Sequence, residues 1–445
     1  MNTNAPAVFT APKYPPGFRA RRGLNWAAVG LMYTSYYLCR YNFSYANKAI
    51  ADEFHFTKSD ISTILMLNFI AYGCGQIING LLTDRIGGKR AMLIGAVGTI
   101  TVNILFGAAS FWGMMWLFSL LWGLNGYVQS FGAPGFIKIN SSWFSEKQRG
   151  TFAGIFGFMI NLGRVVANKL LPALLAGFTF IGMWHVPPQH WRWLFWIPAI
   201  VASIVAIFLA LTVKDTPEEV GYRDIFPGEA DHADADIHGK LGTVFKQVAS
   251  NRFVWIVAAA YACTGAVRQC IDQWFPRFFQ EVYHLDMTGA KFQWLGLLIP
   301  VVASAGSLLS GWVSDRFFNS RRAPVAAAIY LIEVCVILAA TQVHTVNWAI
   351  YFFVAISFTV NSTHSLLGPA AAMDIGGRKM AAFASGCIDA CQYFGAALAI
   401  KGLGLVLDRG GWEYYFYYMI PFGIVGGVLM YSISHRQSLK KGSTH

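Results

Sequence analysis

Charged side chains are scarce in this chain of 445 residues: they make up 13% of it, whereas 55% of the residues are hydrophobic. Soluble globular domains usually carry about 25% charged residues. The shortage argues against an ordinary soluble protein and predicts an integral membrane protein with helical spans. The formal net charge of +12 does not indicate nucleic-acid binding, because most Lys and Arg residues lie in short loops between apolar segments, where they report topology.

The sequence also lacks the cysteine spacings that are typical of disulfide frameworks and metal sites. All seven cysteines lie in apolar segments, and none forms a CxxC or Cys/His spacing, so neither a disulfide framework nor a metal site is predicted. No nucleophile–base constellation stands out, so we expect neither an enzyme nor a cofactor. The polar, proline-containing N-terminus lacks the short apolar core of a cleavable signal peptide.

Apolar segments long enough to cross a bilayer predict an all-α fold with twelve transmembrane helices. The expected spans are residues 25–47, 61–82, 91–109, 113–137, 151–176, 192–213, 252–276, 292–313, 323–343, 348–370, 381–406 and 412–434. The longest polar interruption separates two groups of six spans. The predicted division is a tail at 1–23, a six-helix bundle at 24–213, a linker at 214–250, a second six-helix bundle at 251–436 and a tail at 437–445.

Basic residues alternate between the connections, and this alternation sets the expected orientation. They are found in both tails and in the loops that follow the second, fourth, eighth and tenth spans. The connections at 110–113 and 341–347 contain no Lys or Arg. Both termini and the central linker are therefore expected on the cytoplasmic side of a plasma membrane, which would be the inner membrane of a bacterium.

The two halves repeat one loop. GLLTDRIGGKR at 80–90 follows the second span, and GWVSDRFFNSRR at 311–322 follows the eighth, with equivalent residues 231 positions apart. This predicts two pseudo-symmetric bundles from a duplicated transporter fold. Four residues of these loops are candidate gating ion-pair residues: Asp84, Arg85, Asp315 and Arg316.

An arginine interrupts the first span, in YYLCRYNF at 36–43, and a second interrupts the seventh. Arg40 is 14 residues from Trp26, and Arg268 is 13 from Trp255. At about 1.5 Å per residue each lies roughly 20 Å from its interfacial tryptophan, near the middle of a ~30 Å hydrocarbon core. Arginine is costly there. Either each side chain snorkels to the outer interface, or the two guanidinium groups face each other and bind an anion such as phosphate with paired donors.

Other charged residues leave alternatives open. Asp272 is four residues after Arg268, on the same helical face, so it is either a partner that releases Arg268 to substrate or a fixed ion pair. Arg164 forms a polar stripe with Asn161 and Asn168 in the fifth span. Lys401 is either a substrate contact or a snorkelling residue.

Several motifs resemble known transporters. The G-x-x-x-D-R-x-G-x-K-R loop resembles the signature of the major facilitator superfamily. YYLCRYNF, LNGYVQSFGAP at 124–134 and VRQCIDQWFP at 267–276 resemble the organophosphate:phosphate antiporter family. The resemblance implies that Arg40 and Arg268 bind a substrate phosphate and that Tyr37 and Tyr72 match binding-site tyrosines. Gln129, inside the second motif, joins these candidates.

The chain departs from that family at three positions. Ile160 stands where the family has a histidine, Gln76 where it has a lysine, and Ala133 where it has a tryptophan. Arg164 lies one turn from Ile160 on the same face, and we expect it to supply the lost positive charge. The cavity is thus expected to be reshaped, so the substrate need not be a well-known one.

The sequence predicts a monomeric transporter that exchanges an organic phosphate or phosphonate for inorganic phosphate across the lipid bilayer. One alternative is a proton-coupled importer of carboxylates, with Glu333, Asp272 or Asp389 carrying the proton. A second is a transporter-like sensor of sugar phosphates, which would bind tightly but transport little.

The topology can be tested by labelling. Single cysteines at Ser145, Ser320 and Ser443, each in a cysteine-free background, should react with an impermeant thiol reagent only from the cytoplasmic side, because each position lies on that side by the distribution of basic residues. Sealed cells and inside-out vesicles provide the two sides. Reaction of any of the three in sealed cells would contradict the predicted orientation.

Overall fold

The computed structural model describes residues 14–145, 148–180, 182–223, 225, 250 and 252–434, with only the backbone described for 149–156, 180 and 369–386. Parts of the predicted tails and linker, at 1–13, 226–249 and 435–445, lie outside these residues. The predicted domain boundaries therefore stay a prediction.

Helices occupy every predicted span, and most of them extend beyond the predicted bounds at one end or both. The helices of the first half are α1 (Phe18–Phe54), α2 (Lys58–Ile86), α3 (Gly88–Ala108), α4 (Met115–Gln129), α5 (Gly132–Trp143), α6 (Arg149–Leu175) and α7 (Trp193–Thr212). Those of the second half are α8 (Arg252–Tyr283), α9 (Ala290–Phe317), α10 (Arg322–Ala340), α11 (Val346–Ser365), α12 (Ala371–Gly410) and α13 (Tyr414–Ser434). The prediction of two six-helix bundles is confirmed, with α4 and α5 together forming the fourth crossing.

Composition alone identifies most of these crossings. Within the described residues, ten helices are long and apolar enough to span a membrane. Helix α1 is not among them, because Arg40, Asn42 and other polar residues interrupt its apolar run. Helices α4 and α5 are each too short, at 15 and 12 residues.

The fourth crossing is broken where helix α2 approaches it most closely. Asn79 of α2 donates to the Ser130 hydroxyl at 2.7 Å and to the Tyr127 carbonyl at 3.0 Å, at the junction of α4 and α5. A Cβ added at Gly75 would lie 2.2 Å from the Ser130 Oγ, so glycine allows this approach. The amide of Asn79 thus replaces hydrogen bonding that the break removes from the helix.

Two features were not predicted. A short antiparallel hairpin, β1 (Phe178–Phe180) with β2 (Trp184–Val186), connects α6 to α7. A π-helical turn, Leu366–Ala370, joins α11 to α12, and Gly368 there has a non-helical ψ of −112°. A Cβ on Gly368 would lie 2.8 Å from the Tyr261 hydroxyl, so glycine permits α8 to pack against this turn.

The two bundles are fastened together at one end by α2 and α12. Asp408 of α12 accepts hydrogen bonds from the backbone N–H groups of Lys58, at 2.9 Å, and Ser59, at 2.8 Å. Lys401 donates to the Ser59 and Thr63 hydroxyls, both at 2.7 Å. We call these five residues the end latch. Asp408 satisfies N–H groups that the first turn of α2 cannot bond internally.

The latch marks the closed end of the seam between the bundles. Further hydrogen bonds between the two bundles lie between the latch and the middle of the helices. They include Ser44 to Gln273 at 2.6 Å and Asn168 to the Gly296 carbonyl at 2.7 Å. The molecule is therefore held closed from its centre to the Lys58 end.

Removing the Asp408 carboxylate should loosen this end. Losing a cap costs about 1 kcal/mol, so the open fraction should rise about fivefold in Asp408→Ala. Ser62 is fully buried, and a Cβ on Gly404 of α12 would lie 2.2 Å from its Oγ, so a cysteine at Ser62 reports opening. Its reaction rate with a thiol reagent should rise in purified, cysteine-free protein. Asp52→Ala, at an exposed position in α1, is the control, and equal rates in both variants would contradict the latch.

Candidate functional site

Arg40 projects from the middle of α1 and is held by neutral groups of its own bundle. Its Nε donates to the Gln129 Oε1 at 2.9 Å, and its Nη2 donates to the Tyr72 hydroxyl at 3.3 Å. The guanidinium carbon lies 5.0 Å from the ring centre of Tyr37 and 4.6 Å from that of Tyr72. No carboxylate of the described residues forms an ion pair with it. Arg40 is therefore a positive charge positioned by polar and aromatic groups without being neutralised.

Arg268 occupies the corresponding place in α8, the first helix of the second bundle. Its Nη1 lies 3.3 Å from the His364 Nε2, and its Nε lies 3.8 Å from the Asp272 Oδ2. That Nε is buried and has no hydrogen-bond partner among the described residues. A buried guanidinium N–H without an acceptor is unfavourable, so Arg268 retains capacity for an anion.

Both arginines line one small cavity at the seam. Its walls also include Tyr37, Tyr72 and Tyr393, and the rings of Tyr72 and Tyr393 meet across the seam at 4.4 Å. The cavity volume is about 20 Å³, which is room for about one water molecule. An organic phosphate would therefore enter only after the bundles separate further here.

Asp272 joins the bundles through a different arginine from the one expected. Its Oδ1 accepts from the Arg164 Nη2 at 2.7 Å, and its Oδ2 accepts from the Tyr41 hydroxyl at 3.1 Å. The side chains of Arg164 and Asp272 are 3% and 4% exposed. Arg268 is thus the more distant of its two arginine partners. The expected phosphate contact of Arg164 stays a prediction, since Arg164 is engaged by Asp272 in this conformation.

The structure does not bring the other predicted site residues to this cluster. Lys401 belongs to the end latch. Asp84 lies 3.4 Å from Lys138 of its own bundle, and Asp315 lies 3.7 Å from Arg322 of its own bundle. Arg85 and Arg316 are exposed beside them. The ion pairs described for these loops stay within one bundle and do not bridge the seam here.

Sequence reasoning missed three tyrosines of the cluster. Tyr41 directly follows Arg40, and Tyr393 lies one turn after Asp389, so both carried a positional signal. Tyr261 also carried such a signal, because it precedes Arg268 by two helical turns on the same face of α8, and its hydroxyl lies 2.7 Å from the His364 Nδ1. Within the described part of the chain, no cluster of His, Cys, Asp and Glu could hold a metal ion.

Breaking the buried Arg164–Asp272 ion pair should destabilise the folded protein. Asp272→Asn leaves Arg164 as a buried, uncompensated charge, so it should lower the free energy of unfolding by about 3–5 kcal/mol. Adding Arg164→Gln removes that charge and should recover most of the loss. Thermal unfolding of the two single variants and the double variant in detergent measures this. If the double variant is as unstable as the sum of the single variants, the two residues do not act as a pair.

Comparison with known proteins agrees with this architecture. The description of the Major Facilitator Superfamily matches residues 29–400. In structure, the chain is similar to a bacterial homologue of the human lysosomal transporter Spinster, crystallised in an inward-facing, unoccupied conformation. The TM-score is 0.78 at 16% identity, over 93% of this chain and 97% of the other. This likeness supports the fold.

Several curated relatives match along nearly their whole length. The chain is 28% identical to the glycerol-3-phosphate transporter of Bacillus subtilis, over 94% of this chain and 93% of that protein. It is 28% identical to a probable hexose phosphate transport protein of Chlamydia trachomatis, over 93% and 91%. It is also 28% identical to the membrane sensor protein UhpC of Escherichia coli, over 90% and 88%. None of the three is named as an enzyme. This chain is a multi-pass integral membrane protein, and it belongs to the Major Facilitator Superfamily.

Proposed function

We propose that this protein transports an organic phosphate or phosphonate across the membrane in exchange for inorganic phosphate, by alternating access. The observation that carries the proposal is a pair of arginines, the partly buried Arg40 and the buried Arg268, which line one cavity from equivalent helices of the two bundles. Two guanidinium groups match the charge and the oxygen geometry of one phosphate dianion. Two relatives, a glycerol-3-phosphate transporter and a probable hexose phosphate transport protein, support this class of substrate.

Exchange follows from the cost of moving the site while it is empty. Each reorientation passes through a state in which the arginines are enclosed away from water, where an uncompensated charge is expensive. A bound phosphate compensates Arg40 and Arg268 together, so the loaded protein should reorient faster than the empty one. Inorganic phosphate presents the same head group as a phosphate ester and can serve as the returning ligand.

The proposal also includes the orientation of the protein in the membrane, its division into two bundles and its oligomeric state. Both termini and the linker face the cytoplasm, the bundles are divided at 214–250, and the protein acts as a monomer. The latch end is then the external end, so the conformation described here is closed toward the outside.

A sensor is a second candidate, because one relative is named a membrane sensor protein. Such a protein would bind phosphate esters and show negligible flux.

Proton coupling is a third candidate, because Glu333 is fully buried and neither of its carboxylate oxygens has a hydrogen-bond partner among the described residues.

Uptake of labelled phosphate into proteoliposomes tests the proposal. Rapid uptake is expected only when the vesicles contain phosphate. Arg40→Lys keeps the charge but loses the paired donors, which should weaken phosphate binding roughly ten- to a hundredfold. Arg19→Lys, at an exposed arginine outside the site, is the matched control.

Each alternative has its own outcome in this assay. Equal uptake into empty vesicles, or uptake driven by an imposed pH gradient, favours proton coupling. Tight binding in a thermal-shift assay without uptake favours a sensor. Normal phosphate affinity in Arg40→Lys, together with normal exchange, would show that Arg40 does not bind the phosphate.

A further inference from the structure

A second polar cluster lies beside Arg268, on the second bundle's side of the cavity. It contains Asp389 and Gln392 of α12, His364 of α11 and Tyr261 of α8. In the amide orientation that satisfies both of its polar atoms, Gln392 donates to Asp389 at 3.2 Å and accepts from Arg268 at 3.1 Å. Gln392 thus separates the carboxylate of Asp389 from the guanidinium of Arg268 by one amide group.

Asp389 has only neutral partners. The Tyr261 hydroxyl approaches its Oδ1 at 3.5 Å, and Gln392 donates to the same oxygen. No Lys, Arg or His of the described residues forms an ion pair with it. A carboxylate placed in the membrane interior without a cation is unfavourable and usually marks a functional position.

The helical position of Asp389 directs it toward the ligand cavity. Asp389 precedes Tyr393 by one turn, on the same face of α12, and Tyr393 lines the cavity that contains Arg40 and Arg268. Asp389 is also only partly buried. Asp389 does not line the small cavity of this conformation. Its place one turn from Tyr393 would bring its carboxylate to the border of the larger space that a phosphate ester or phosphonate needs between the arginines.

The charged side chains around the cavity form a positive end, with Arg40 and Arg268, and a negative end, with Asp389. Asp272 is engaged with Arg164 at 2.7 Å, which leaves Arg40 and Arg268 for the phosphate and Asp389 as a further carboxylate. A substrate with only negative groups would be repelled by Asp389. A substrate with a positive group on its organic part would compensate Asp389 and would also face the rings of Tyr72 and Tyr393.

We propose, building on the proposed function, that the substrate is an aminoalkyl phosphate or phosphonate whose ammonium group binds Asp389 while Arg40 and Arg268 bind its phosphate. The carboxylate and the guanidinium are one amide and two hydrogen bonds apart, so a short chain of about two or three carbons joins the two charged ends. Asp389 is thus a specificity-determining residue.

A matched pair of ligands tests this inference. 2-Aminoethylphosphonate and propylphosphonate have the same phosphonate head and nearly the same length, but only the first carries an ammonium group. A charge-assisted hydrogen bond should make the dissociation constant of the first about tenfold lower or more in purified wild-type protein. In Asp389→Asn the ratio of the two constants should fall to about one. In Asp52→Asn, at an exposed position outside the cavity, the ratio should stay at the wild-type value.

The outcomes separate the two proposals. If inorganic phosphate and propylphosphonate bind but the wild-type protein shows no preference for the amine, the aminoalkyl substrate is overturned and organophosphate binding stands. If neither phosphate nor either phosphonate binds, the proposed function itself fails. An amine preference that persists in Asp389→Asn would place the ammonium group elsewhere. The wild-type ratio decides the substrate class even if Asp389→Asn does not fold.

Discussion

A guanidinium enclosed away from water persists only where other groups compensate its charge. Three arginines lie at the seam of this molecule, of which Arg164 and Arg268 are buried and Arg40 is partly buried. Arg164 has Asp272 at 2.7 Å, and Arg268 has the same carboxylate at 3.8 Å. Arg40 has only a glutamine, tyrosine hydroxyls and aromatic faces. The compensation is therefore incomplete on the side of the cavity where Arg40 and Arg268 face each other. The proposed phosphate would complete this compensation.

The closed end of the seam relies on contacts of a different kind. The end latch joins a carboxylate to helix N–H groups and an ammonium to hydroxyls, and each such bond contributes about 1–3 kcal/mol at most. Bonds of this size hold two bundles in one arrangement and can still be broken when the bundles rock. The role of Lys401 could not be assigned from its position in the span alone. Lys401 takes part in the end latch because the first turns of α2 pack against this part of α12 and place the Ser59 and Thr63 hydroxyls within hydrogen-bonding distance.

The sequence allowed most of the fold to be predicted, because hydropathy and loop charge report membrane crossings directly. The offset of 228 residues between Arg40 and Arg268 follows the duplication, so their pairing was also predictable. The break at Ser130 was not, because it depends on the close approach of Asn79. Nor was the partner of Asp272, which lies 108 residues away in the other bundle and depends on how the helices rotate against each other.

The three arginines differ in whether their partners lie in the same bundle or across the seam. Arg40 is held by Gln129, Tyr72 and Tyr37, all of the first bundle, and Arg268 is held by His364 and Gln392, both of the second bundle, to which Arg268 itself belongs. Each is therefore carried as part of a rigid body when the bundles move. Arg164 instead bonds Asp272 across the seam, so rotation of one bundle against the other must stretch that pair. Under the proposed alternating-access mechanism, Arg40 and Arg268 would therefore keep their partners throughout the movement, whereas the Arg164–Asp272 pair would stabilise only one of the two end states.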